Sequence, residues 1–194
     1  LWGISATAVN LGILAQNRKD YQAAATYYSE SLASFRQLGD LWATAIALNN
    51  LGLVRMKQGD YTSAHALLEE SIAIARELED QQGIAYSLQN LGELAFRQQQ
   101  YPLARQLYAE SLAIRARTDD QEGIATSLES MALLAMTSGE TVRAVQLFGA
   151  AAWLRLAINA PLPADEDAEH AEHLAALQAV LGAVQYDVAW CQGQ

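Results

Sequence analysis

Three asparagines, Asn10, Asn50 and Asn90, stand forty residues apart, each followed by Leu-Gly, and Ser130 before Met131-Ala132 holds the fourth place. A carboxamide carries both a donor and an acceptor, so a row of them can pair with the peptide groups of an extended ligand without reading its side chains. The same side chains could instead bond neighbouring helices and stabilise their stacking, and the sequence leaves both roles open. His170 and His173, three residues apart beside Glu166, Glu169 and Glu172, could face a divalent ion from one side of a helix. A transition-metal site ordinarily needs a more closed ligand set, so the two are read as exposed histidines on an acidic helix and no metal is expected. His65 is isolated, no Ser-His-Asp or Cys-His constellation is visible, and the paired carboxylates at 69–70 and 119–120 suit helix surface and capping. With no Gly-Lys-Ser/Thr phosphate loop either, the expectation is a protein that is not an enzyme and holds no cofactor.

What must position these residues is a repeat. Tyr21, Tyr61, Tyr101 and Thr141 align at intervals of forty, followed three residues later by Ala24, Ala64, Ala104 and Ala144. Tyr28, Leu68, Tyr108 and Phe148 form a large column, and Ser31, Ser71, Ser111 and Ala151 a small one. Intervals of three and four predict helices rather than strands. Lys19-Asp20, Gly59-Asp60, Gln99-Gln100 and Gly139-Glu140 divide each unit into halves, while Gly39-Asp40, Glu79-Asp80 and Asp119-Asp120 separate the units. Each helix should run about 17 residues, roughly 26 Å. Gly12, Gly52, Gly92 and Ala132 on the first helices are expected to face the Ala24 column and let the backbones approach.

A unit of forty residues cannot bury its own apolar face, so neighbours must stack into one elongated domain with a long binding surface. The reading is all-α: a right-handed superhelical solenoid of four antiparallel helix pairs (1–39, 40–79, 80–119, 120–160) closed by acidic capping helices over 161–194. That tail contains Asp165, Glu166, Asp167, Glu169, Glu172 and Asp187 but no Lys or Arg. The formal net charge of −10 argues against a direct nucleic-acid partner. No apolar run predicts a membrane span, and the lone Cys191 suits a reducing compartment, for which the cytoplasm is the default.

The Leu-Gly pair followed by small-large-small positions resembles the tetratricopeptide repeat over residues 1 to about 160, enlarged to forty residues as in kinesin light chains and many bacterial regulators. The string from Ala144 to Gly193 (AVQLFGAAAWLRLAINAPLPADEDAEH…LGAVQYDVAWCQG) is similar to segments that close the repeat regions of bacterial ATP-dependent regulators of the STAND type. That likeness implies a sensor part whose NTPase and effector domains lie elsewhere in the parent chain, working in signal transduction and transcriptional regulation.

The family pattern puts first helices on a concave wall, with the residue before Leu-Gly at the groove or its edge. It implies a ligand surface drawn from Asn10, Asn49, Asn50, Met56, Lys57, Tyr86, Gln89, Asn90, Glu93, Phe96 and Arg97, with Ile13, Glu129 and Met136 at equivalent offsets. Leu53 and Leu133 are better read as core. Apolar members would hold ligand side chains, charged ones would select charge, and Tyr86 would add buried ring area. Leu1, Trp2 and Ile4 form an apolar N-terminal end through which the chain is expected to self-associate. The function expected is recognition of a peptide, protein or signal. The alternative is a scaffold that contacts its own parent chain or assembles into oligomers, without a free ligand.

Overall fold

The computed structural model describes residues 2–194, excluding the side chains of Trp2, Ile4, Ala164 and Asp165. The self-association surface expected at Leu1, Trp2 and Ile4 therefore lies outside the described side chains. Among the described residues all regular structure is α-helical, as the spacing of three and four requires. Residues 1–100 form one compact unit, with α1 (Trp2–Asn17), α2 (Tyr21–Leu38), α3 (Leu41–Lys57), α4 (Tyr61–Glu77) and α5 (Gln81–Arg97). Residues 101–194 form a second, with α6 (Tyr101–Thr118), α7 (Gln121–Thr137), α8 (Thr141–Ala157), α9 (Ala164–Leu181) and α10 (Ala183–Gly193).

Helix starts follow from one side chain used repeatedly. Asp20, Asp40, Asp60, Asp80 and Asp120 each accept from the backbone N–H three residues on, at 2.9–3.1 Å, which satisfies an otherwise orphaned donor. Glu140 does not cap α8 with its side chain. Its carboxylate accepts from Arg105 at 2.5 Å, and that hydrogen bond holds its pKa below the usual carboxylate value.

Helix ends follow a rule only partly visible in the glycines. Residues 19, 39, 59, 79, 99, 119, 139 and 159 all have positive φ, but only Gly39, Gly59 and Gly139 are glycine. Lys19, Glu79, Gln99, Asp119 and Asn159 adopt the left-handed conformation at φ 54–60° despite their side chains.

The repeated glycines meet a different partner from the one expected. A Cβ on Gly12 would lie 2.5–2.9 Å from the ring of Tyr28, and one on Gly52 would lie 2.8 Å from Cγ of Leu68. The primary neighbour is thus the large column; the alanine column contributes only the Ala64 carbonyl oxygen, 3.4 Å from the Gly52 position. Space is cut from the first helix so that the second can seat a large side chain. Tyr28 and Leu68 are accordingly buried, with Leu48, Val54 and Phe35 in the same unit. Burial pushes the Tyr28 phenol up to about 12.

In the second unit α9 and α10 close over α8, and Phe148, Val145, Leu177 and Ala189 share its core. Tyr186 and Trp190 stack on one face of α10 with ring centroids 6.0 Å apart. The outer surface of these closing helices carries exposed carboxylates, Asp167, Glu169, Glu172 and Asp187, together with an apolar row, Val180, Val184 and Val188, at 73%, 78% and 54% exposure.

Candidate functional site

In the first unit, α3, α4 and α5 enclose a cavity of about 290 Å³ that Asn49, Asn50, Ser71, Tyr86 and Ser87 help to line. Its floor is a hydrogen-bonded cluster. The Ser71 hydroxyl donates to the Ala45 carbonyl at 2.9 Å, and the Ser87 hydroxyl lies 2.9 Å from Ser71 Oγ and 3.2 Å from Asn49 Oδ1. Asn90 Nδ2 donates to the same Asn49 oxygen at 3.0 Å. Buried hydroxyls and amides satisfied in this way lock the side chains that carry them.

The asparagines consequently divide into roles. Asn49 Oδ1 and Asn90 Nδ2 tie α3 to α5, which is the stack-stabilising use of an amide. Asn50, half-buried on the cavity wall, makes no side-chain hydrogen bond among the described residues, and Asn49 Nδ2 makes none either. Asn10 is exposed on α1. Tyr86 stands 50% exposed on the same wall and so offers ring area.

The remaining expected residues do not form one surface. Met56 is 1% exposed and Gln89 8%, so both lie behind the wall: their positions on α3 and α5 turn them into the core. Glu93 and Arg97 pair with each other along α5 at 2.7 Å. Phe96 is half-buried and Lys57 exposed beyond the cavity lining. Of the wider groove set, Ile13 is 42% exposed, whereas Met136 packs against the core of the second unit beside Leu133, a position read as core. The reading of Ser71 as merely a small residue overlooked its hydroxyl, because its partners Ala45 and Ser87 are distant in sequence.

Glu129 was expected to select charge, but it is already engaged. Arg155 Nε and Nη2 donate to its two carboxylate oxygens at 2.6 and 2.8 Å, with the side chains only 11% and 13% exposed. The Glu129 hydrogen bonds hold the Arg155 guanidinium pKa above its ordinary value. His170 is not the exposed residue expected. It is half-buried, with its ring edge-on to Phe148 at 4.5 Å, and burial lowers its pKa below 6.5. No group of three or more metal-ligating side chains occurs among the described residues.

Helix pairs with this small-large-small packing match a known family. The tetratricopeptide-repeat profile covers residues 3–77 and 82–152, more than half of the sequence. This chain belongs to the tetratricopeptide-repeat family. Repeats of this family are typically non-enzymatic interaction modules, and they imply a protein-interaction or scaffold domain here. Among solved structures, it is similar to nearly identical TPR-like repeats described as a kinesin light chain of Podosopora anserina. Identity is 19% and the TM-score 0.68, covering 97% of this chain and 92% of that one. It is also similar to BtubC (BKLC) from P. vanneervenii, at 20% identity and a TM-score of 0.67, covering 82% of this chain and 66% of that one. At such identities the likeness concerns the fold. No curated protein matches the chain. No described helix is long and apolar enough to cross a membrane.

Proposed function

We propose that the unit of residues 1–100 recognises an extended peptide or protein segment at the α3–α5 cavity. The supporting observation is the pairing of unengaged amide groups, Asn50 and Asn49 Nδ2, with the half-exposed Tyr86 ring around a preformed hollow of about 290 Å³. Amides that already have water-exposed donors and acceptors can take peptide groups at little desolvation cost, and the ring supplies apolar contact. Asn90 contributes by holding Asn49 in place.

The parent protein in this reading is a larger bacterial signal-transduction regulator of the STAND type, acting in the cytoplasm, with its NTPase and effector domains outside these residues. Support comes from the likeness of the tail between Ala144 and Gly193 to segments of such regulators. Binding would control the parent only if the ligand favours one of its states over another. The exposed valine row on α9 and α10 favours a second reading, a scaffold that docks on another surface of its parent.

Isothermal titration against a library of extended peptides tests the first reading. Peptide binding should weaken in Asn50→Ala and Tyr86→Ala while the circular dichroism spectrum is unchanged. Full affinity in both folded variants would exclude this wall, and a chain that binds no peptide but captures the separately expressed parent domains would favour the scaffold.

A further inference from the structure

The second unit contains a larger hollow, about 360 Å³, between α8, α9, α10 and the connection that joins α8 to α9. Its volume falls within the roughly 300–1,000 Å³ typical of small-molecule sites. Ala152, Leu156, Leu162, Leu174 and Trp190 supply an apolar wall. Its charged members are largely spoken for. Glu129 and Arg155 neutralise each other through two hydrogen bonds, and the other Arg155 donors reach Thr126 Oγ1 at 3.3 Å and the Ala160 carbonyl at 3.4 Å. Asp167, exposed on the wall, leaves the balance negative. His170 adds no positive charge at neutral pH, because burial disfavours its protonated form.

Polar groups on this wall lack a hydrogen-bond partner among the described residues, among them the buried His170 Nε2 and the exposed Asn159 amide. Asn159, held at φ 54° just beyond α8, makes no side-chain hydrogen bond among the described residues. An anion entering the hollow would meet the acidic excess and would have to break the Glu129–Arg155 pair to find a cation. A neutral apolar molecule meets neither cost.

We propose that this hollow binds a small uncharged molecule with an aromatic or aliphatic body and one hydrogen-bonding head, the body against Trp190 and Leu174 and the head on the Asn159 carboxamide. The site is separate from the α3–α5 cavity and does not depend on peptide recognition there.

The test uses 2-naphthol as the uncharged probe and 2-naphthoate as its anionic counterpart, added to the whole chain. Binding is followed by calorimetry and by the Trp190 indole N–H resonance, assigned with Trp190→Phe. The expected result is saturable one-to-one binding of 2-naphthol that moves this resonance, with 2-naphthoate at least about tenfold weaker. Asn159→Gly keeps the positive φ and removes the amide, and should weaken 2-naphthol about three- to tenfold. Ala152→Phe should abolish binding by filling the hollow; Leu162→Trp does so from the connection if the first variant fails to fold. No saturable binding, undiminished binding in a folded plugged variant, or equal affinity for the anion would each overturn the proposal.

Discussion

Asn90 on α5 donates its Nδ2 hydrogen to Asn49 on α3 at 3.0 Å, joining two residues 41 apart in the chain. The same Asn49 oxygen receives the Ser87 hydroxyl. Removing it leaves two part-buried donors without that acceptor, so Asn49→Ala should lower stability by about 1–3 kcal/mol. Asn50→Ala, whose amide is not engaged, should stay within about 0.5 kcal/mol of the parent. Urea unfolding of the two variants measures the contrast, and equal losses would contradict this division of roles.

Gly12→Ala should also destabilise, by about 1–3 kcal/mol. The added methyl would lie 2.5–2.9 Å from the buried Tyr28 ring, and this overpacking outweighs the roughly 1 kcal/mol that alanine gains as a helix former. A thermal melt higher than that of the parent would show that the ring yields easily.

Glu79→Gly is expected to act in the opposite direction. Glu79 has φ 56° between α4 and α5, where an L side chain costs about 1–2 kcal/mol that glycine avoids. Greater backbone freedom in the unfolded chain offsets part of this. A net gain of about 0.5–1 kcal/mol should appear in the urea midpoint, with Gly39→Ala, at φ 69°, losing stability as the reciprocal control.

Arg155→Met should cost about 3–5 kcal/mol, because it strands Glu129 at 13% exposure without its bidentate partner. The double variant Arg155→Met/Glu129→Leu should recover most of the loss, which chemical denaturation of the three variants can resolve. Failure to recover would mean that the contacts of Arg155 with Thr126 and Ala160 carry the stability instead.

His170 gives the second unit a pH dependence whose sign follows from burial. Its folded pKa lies below 6.5, chiefly through desolvation, with Glu129 and Asp167 opposing the shift. Above the unfolded value both states are neutral and no penalty arises. As pH falls through and below about 6.5, the unfolded chain takes up the proton first, so stability declines. Unfolding midpoints measured between about pH 7.5 and 5.5 should therefore fall less steeply in His170→Phe than in the parent, and identical slopes would remove His170 as the cause.

The local parts of this architecture were legible because their causes are local. A forty-residue beat of apolar positions at intervals of three and four specifies helices, and an aspartate before each of five helices finds its N–H three residues later. The left-handed turns were readable only at Gly39, Gly59 and Gly139; Lys19 and Gln99 adopt the same conformation without the residue type that announces it. At the candidate site Asn49, Asn50 and Tyr86, singled out in the sequence, line one cavity. The sequence could not distinguish Met56, which is core, from the wall residues beside it, because both suit an apolar position on a first helix.

Sequence alone thus determined the repeat, its helical halves and the absence of a phosphate-binding loop, all properties of short-range spacing. Tertiary structure decided which partners meet across that spacing. Only packing could bring Tyr28 against Gly12, share the Asn49 oxygen between Asn90 and Ser87, and commit Glu129 to Arg155. Each of these outcomes depends on which distant side chain reaches a polar atom or a gap first, and burial then makes leaving that partner costly.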